Sequence, residues 1–259
     1  MKYMGSKNRI AKDLVPFIQK FINTAGWTSY IEPFVGGANV IDKIKCGVKT
    51  GYDINPYLIA LLKHVQEGKP LLPEVDFETY SFARSVYKKR NTMPAWKIGN
   101  IGFLSSCNGR FFDGGYAKKS ATRDYYRESV NNILKQAAGP GFKDIQFIHA
   151  DYREIRPKNS VVYCDPPYEG TKGYDGNKFD FEEFWDRMKE WSYNNTVLIS
   201  SLEAPPGFRC VFETGTYRSM EVINRKPVVE KVFLAEPHLR MKRLFLIRKD
   251  GTRIKPNKA

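Results

Sequence analysis

Negative charge is scarce in this chain. Asp and Glu number 28 against 42 Lys and Arg, a formal net charge of +14 over 259 residues. A folded surface so short of carboxylates is poorly suited to cationic partners and attracts polyanions, nucleic acid first among them. Cysteine and histidine are also sparse. Cys46, Cys107, Cys164 and Cys210 lie far apart with no C-x-x-C pair, and His64, His149 and His238 do not cluster. Such spacing argues against a metal site and a disulfide framework, and it implies reduced thiols in a cytoplasmic protein. No apolar run is long enough to span a bilayer, and "MKYMGSKNRI" lacks the apolar stretch of a secretory signal, so no membrane role is expected. A complete G-x-G-x-x-G phosphate cradle is missing, as is a Walker A motif, which argues against NAD and nucleoside triphosphates.

What is present is an ordinary apolar share of 42% and a 14% aromatic share, with many rings beside basic residues, as in "RSVYKKR", "GRFFDGGYAKK" and "RDYYR". Phosphate neutralisation plus base stacking needs that mixture; packing in a core is the plain alternative. Helical spacing marks "NRIAKDLVPFIQKFI", "ANVIDKIKCG", "NPYLIALLKHVQEG", "DFETYSFARSVYKKR", "TRDYYRESVNNILKQA" and "FDFEEFWDRMKEW" as helices. "SYIEPF", "KTGYDI", "DIQFIHAD", "SVVYCD" and "TVLISSL" read as strands, followed by closing strands at "FRCVFET", "KVFLAE" and "RLFLIR". Residues from about Met93 to Arg123 show little periodicity. The alternation predicts an α/β fold with a doubly wound, mostly parallel sheet. In such sheets ligands bind beyond the carboxyl ends of the strands, and the unusual residues fall there: Phe34-Val35-Gly36-Gly37, Asp53, Asp151 and Asp165.

Gly36-Gly37 lets the backbone turn sharply and approach a ligand, and Asp53, 17 positions after Gly36, can accept both hydroxyls of a ribose. A tight turn with a helix-capping aspartate is the bland reading of that pair. The tetrapeptide Asp165-Pro166-Pro167-Tyr168 is more pointed. Proline has no N–H, so this loop offers carbonyls and a carboxylate but few donors, which suits an NH2 group. Tyr168 adds a flat face for a base. An exocyclic amine on a nucleobase meets every requirement.

With these residues in view, the sequence resembles the Dam-type (D12 class) adenine-N6 DNA methyltransferases, phage members included. The resemblance is carried by "YMGSK" at Tyr3–Lys7, "EPFVGGANV" at Glu32–Val40, "DIN" at Asp53–Asn55, "ADY" at Ala150–Tyr152, "CDPPY" at Cys164–Tyr168 and the later "TVLISSLEAP", and it covers the chain to about Pro206. It implies S-adenosylmethionine as cofactor. Tyr3 and Lys7, with Gly5 between them, are expected at its methionine end. The Phe34–Gly37 loop is expected beneath it, Asp53 on its ribose hydroxyls and Asp151 by its adenine ring, with Asp165 between cofactor and target. Residues 1–68 and 140–250 form the expected catalytic core, 69–139 an inserted target-recognition region, and 251–259 a frayed tail. The expected partner is double-stranded DNA, with a flipped-out adenine as the expected target and a monomer as the default expectation.

Target reading is expected in "SSCNGRFFDGGYAKKSATR", Ser105–Arg123. Arg110 and Asn108 are candidates for reading base edges. Phe111, Phe112 or Tyr116 are candidate wedges in the vacated stack. Lys118, Lys119 and Arg123 are expected on phosphates, and Gly114-Gly115 at a hairpin turn. "FFDGGYA" stands where GATC-specific members carry a different run, which speaks against a GATC target. An RNA adenine methyltransferase, a catalytically silent DNA-binding module and a protein-glutamine methyltransferase are the alternatives.

Overall fold

The computed structural model describes residues 1–89, 92–168, 179–217, 227–235, 246–247 and 253–254. Most of the expected tail, and the run that follows Tyr168 up to Lys178, lie outside these residues. In chain order the elements are α1 (Ala11–Ala25), β1 (Ser29–Glu32), β2 (Val48–Asp53), α2 (Pro56–Gln66), α3 (Phe77–Val86), α4 (Ala95–Leu104), α5 (Tyr125–Ala137), α6 (Pro140–Lys143), β3 (Ile145–His149), β4 (Ser160–Cys164), α7 (Phe181–Ser192), β5 (Thr196–Ser201), β6 (Phe208–Tyr217), β7 (Pro227–Ala235), β8 (Leu246–Ile247) and β9 (Arg253–Ile254). The fold is α/β, and seven strands form a mostly parallel sheet in the order β3-β2-β1-β4-β5-β7-β6. The chain divides into two compact units, Met1–Ala11 with Pro33–Glu154, and Lys12–Glu32 with Ile155–Ala259.

In the first unit β2 and β3 pair in parallel, from Lys49 opposite Ile145 to Asp53 opposite His149. The helices begin where the sequence supplies caps. Asn55 accepts the N–H groups of Tyr57 and Leu58 at the start of α2, with Pro56 at a position that needs no donor. Asp76 and Asp124 cap α3 and α5 in the same way.

Two expectations in this unit are corrected. The helix expected over "ANVIDKIKCG" is only a short 3-10 turn at Ile41–Lys43. Ala38 has φ +55°, and the carbonyls of Gly37 and Ala38 accept from the Gln136 side chain instead of from helix N–H groups. Conversely, α4 forms inside the stretch that lacked periodicity. Every residue from Ile98 to Leu104 is buried, and a helix buried on all sides has no polar stripe to give it a period. Its glycines allow close packing, since a Cβ on Gly99 would stand 2.2 Å from the Tyr57 carbonyl oxygen of α2.

In the second unit β1 pairs in parallel with β4 (Ile31 opposite Val162) and β4 with β5 (Cys164 opposite Ile199). β7 then runs antiparallel between β5 and β6. β4 is buried along its whole length, as an inner strand covered on both faces must be, which is why "SVVYC" reads as a continuous apolar run. The core here joins Leu14 and Ile18 of α1, Val161 and Val162, Phe184 and Met188 of α7, and Val197, Leu198 and Ile199. Chain order reverses direction across β1 and β4, and it is beyond the carboxyl ends at such a reversal, here Glu32 and Cys164, that sheets of this kind take ligands.

Candidate active site

The expected site residues fall into two sets, one in each unit. In the first, Val35 donates its N–H to the Tyr52 carbonyl at 2.8 Å, which lays the glycine loop along β2. Gly36 has φ +48°, and its N–H donates to Asp53 Oδ2 at 3.1 Å. Asp53 Oδ1 accepts the Asn55 N–H at 2.9 Å. Asp53 is 8% exposed. Burial pushes its carboxyl up to about 6, against the opposing pull of the two backbone N–H bonds and of His149. Each oxygen keeps a further acceptor position, so the group can still take ligand hydroxyls.

Tyr3 covers this loop. A Cβ on Gly36 would lie 2.8 Å from the Tyr3 ring, and one on Gly37 would lie 2.9 Å from the Tyr3 Cβ. The turn that carries Tyr3 is closed by Ser6 N–H donating to the Tyr3 carbonyl, with Gly5 at φ +76°. Lys7 opens the following 3-10 turn and is buried. Phe34 packs its ring on Tyr152, with centroids 5.4 Å apart. Tyr3, Phe34, Gly36, Gly37 and Asp53 are thus gathered at the carboxyl end of β2. Asp151 follows β3, but its carboxylate is taken by Arg153, which holds it below the usual carboxylate range.

The segment expected to read the target belongs to the same unit, and its rings are packed. Phe111 contacts Tyr57, Tyr87 and Phe103, and Phe112, 3% exposed, contacts Tyr80 and Tyr87. Tyr116 packs on Tyr80 and Phe77 and donates its hydroxyl to the Val75 carbonyl at 2.8 Å. Any of the three must leave this cluster to enter a base stack. The exposed rings of the region are Phe77 and Phe82 on α3, which periodicity alone assigned to a helix without singling out. The bridge between Ser106 and Tyr116 and the bond from Cys107 N–H to the Gly115 carbonyl close a reversal over residues 107–115, so Gly114-Gly115 lie at its returning end and not at a two-residue tip; Gly114 packs on the Cys107 carbonyl, where a Cβ would be 2.4 Å away. Asn108 is exposed, with φ +57°. Arg110 pairs with Asp113 through Nη2, while its buried Nε has no hydrogen-bond partner among the described residues. Lys118 is exposed, Lys119 pairs with Asp124, and Arg123 makes a two-pronged pair with Glu128 at 2.9 Å.

The second set lies in the second unit at the carboxyl end of β4. Asp165 is half-buried, Pro166 is buried, and Pro167 and Tyr168 are half-buried. The Tyr168 hydroxyl donates to Glu230 Oε2 at 2.5 Å. Nearby, Tyr30 donates to Glu32 Oε1 at 2.8 Å, and the hydroxyls of Tyr163 and Ser200 are 2.7 Å apart. Burial pushes the Tyr168 phenol well above its ordinary range, and the charges of Asp165 and Glu230 push it further. Tyr168 therefore stays a phenol and cannot serve as a base. Burial likewise raises Cys164, whose thiol meets Met188 Sδ at 3.3 Å, so no thiolate nucleophile is available there. Glu32 was visible in the sequence as an acid ending an apolar strand; Glu230, inside "PVVEKVFLA", carried no local signal.

Residues 3–92 match the family described as D12 class N6 adenine-specific DNA methyltransferase. The resemblance drawn from the motifs is borne out by that match and by two DNA-methylase relatives. The type II methyltransferase M.FokI of Planomicrobium okeanokoites is 23% identical over 73% of this chain, and the modification methylase StsI of Streptococcus sanguinis is 22% identical over 75%. The chain spans about a third of the length of these curated relatives, 32% of each. Among solved structures, the magnesium protoporphyrin IX methyltransferase of Synechocystis, with SAM bound, is 10% identical, with 88% of this chain and 79% of that one covered at a TM-score of 0.35. Among the described residues, no group of His, Cys, Asp and Glu could hold a metal ion, and no helix is long and apolar enough to cross a membrane.

Proposed function

We propose that this chain is a DNA adenine-N6 methyltransferase using S-adenosylmethionine. The observation that carries the reading is Asp165-Pro166-Pro167-Tyr168 at the carboxyl end of an inner parallel strand, beside the point where the sheet order reverses. The first set of residues fits the cofactor. Asp53 is a buried carboxylate with acceptor positions to spare for ribose hydroxyls, and the Phe34–Gly37 loop presents backbone rather than side chain. Tyr3, Gly5 and Lys7 take the methionine end, and Asp151 lies by the adenine ring. When bound, S-adenosylmethionine supplies the methyl group.

The chain's own residues do the rest by positioning and electrostatics. The target adenine leaves the duplex, since N6 in a paired, stacked base is out of reach. Its amine donates to the Asp165 carboxylate and the Pro166 carbonyl. Pro167 keeps that side of the loop without donors, and the Tyr168 ring carries the base. Accepting both N–H bonds draws the nitrogen toward tetrahedral geometry and localises its lone pair. Lys118, Lys119 and Arg123 take phosphates, and Asn108 and Arg110 read base edges, Arg110 after parting from Asp113. Because Phe111, Phe112 and Tyr116 are packed, their part in filling a vacated stack requires the cluster to open. The net charge of +14 suits such a partner, and the activity belongs in the compartment that holds DNA.

The test is transfer of tritiated methyl from S-adenosylmethionine to duplex DNA, single-stranded DNA and RNA, with nucleoside analysis of the product. N6-methyladenine from duplex DNA is expected, together with its loss in Asp165→Ala at unchanged melting temperature. Wild-type rates in Asp165→Ala, or product only from RNA, overturn the reading.

A further inference from the structure

We propose that Glu230 is a positioning residue for the target base, acting through the hydroxyl of Tyr168. This rests on the reading of Asp165–Tyr168 as the adenine pocket and goes beyond it by adding a residue from a distant strand.

The geometry is specific. β5 pairs with β7 from Leu198 opposite Leu234 to Ser201 opposite Lys231, so Glu230 stands one residue past the carboxyl end of β5. β4 pairs with β5 as far as Cys164 opposite Ile199, which puts Asp165 at the level of Ser200 and the tetrapeptide beyond the same edge. Strands β4 and β7 are two spacings apart, roughly 10 Å. The loop after β4 must lean across the end of β5 for the Tyr168 hydroxyl to reach Glu230 Oε2 at 2.5 Å. Glu230 itself is anchored in a continuous ladder, opposite Thr214 of β6.

The bond to Glu230 holds the ring by its far end, through the hydroxyl and not through a face. A phenol bonded to a fixed carboxylate has one orientation about the bond from Cβ to the ring, and a charged acceptor makes that bond about twice as strong as a neutral one. Tyr168 is otherwise a loop residue with two rotatable side-chain bonds. Loss of Glu230 removes the bond that fixes its far end, and a base stacked on the ring loses register with Asp165. The loss falls on the rate of the bound complex, where placement matters, and not on cofactor affinity, to which the first unit's residues contribute.

The experiment is a double-mutant cycle on the full chain, with kcat and KM measured for duplex DNA at saturating S-adenosylmethionine and melting temperatures measured alongside. Glu230→Ala and Tyr168→Phe are each expected to lower kcat about tenfold with the cofactor Kd unchanged. The double variant is expected to be no slower than the slower single variant, because both changes cut the same bond. Glu230→Gln, whose side-chain carbonyl can still accept the phenol, is expected to recover most of the loss. Multiplying effects in the double variant, or Glu230→Gln as slow as Glu230→Ala, overturns the inference. A wild-type chain that transfers no methyl to adenine overturns the proposed function instead, so the two failures are distinguishable.

Discussion

If Asp53 holds the ribose of the cofactor, its affinity must depend on pH in a way that the structure sets. The carboxyl is buried, and its pKa is pushed from its ordinary 3.8 up to about 6. Between those values the folded chain holds a proton that the unfolded chain has released. The protonated group is therefore the better tolerated one, and ionising it by pH 7 costs the free protein on the order of 3 kcal/mol. Ribose hydroxyls donate to the charged form, so the ligand binds with the proton gone. The apparent Kd then scales as one plus the ratio of protonated to ionised Asp53, about 1.1 at pH 7 and about 11 at pH 5. Calorimetric titration of S-adenosylmethionine from pH 7.5 to 5 is expected to show roughly tenfold weakening that sets in near pH 6 and steepens below it. Asp53→Asn removes the titration and turns an amide N–H toward one of the two backbone donors at Gly36 and Asn55. Its affinity is expected to be about 10- to 100-fold weaker at pH 7 and flat with pH, as befits a lost charged hydrogen bond of about 1.5–3 kcal/mol. A flat wild-type profile refutes the ribose assignment. So does an Asn variant that weakens on acidification as much as the wild type, because the titrating group would then be elsewhere.

Gly99→Ala in α4 is expected to destabilise the fold by about 1–2 kcal/mol in urea, the overpacking cost outweighing the gain in helix propensity, because the new Cβ meets the Tyr57 carbonyl oxygen at 2.2 Å; a rise in stability shows that α2 and α4 have slack. Arg110→Ala is expected to relax the preferred methylation motif at one base pair by about 1–3 kcal/mol. Lys118→Ala and Lys119→Ala are each expected to weaken binding to all sequences and to lower the salt slope by about 1. An Arg110 variant that keeps the same motif at a reduced rate marks that residue as a phosphate contact.

The strand-and-helix alternation, and the placing of Asp53 and Asp165 at strand ends, could be read from the residues alone. Both depend on local pattern: an apolar run stops, and a polar, glycine- or proline-bearing turn begins. The caps at Asn55, Asp76 and Asp124 are likewise local. Contacts between elements follow no such pattern. α4 was hidden because it is buried on every side, and its glycines serve a neighbouring helix. "ANVIDKIKCG" has helical spacing, yet Gln136 of α5 takes the carbonyls that a helix there would need. The rings of the expected recognition segment look like nucleic-acid contacts by type and are claimed by Tyr57, Tyr80, Tyr87 and Phe103. Glu230 meets Tyr168 from 62 positions away, a partnership that only the antiparallel return of β7 beside β5 creates. Periodicity specifies which face of an element is covered; what covers it is decided by packing, and that is where the positioning of Tyr168 arises.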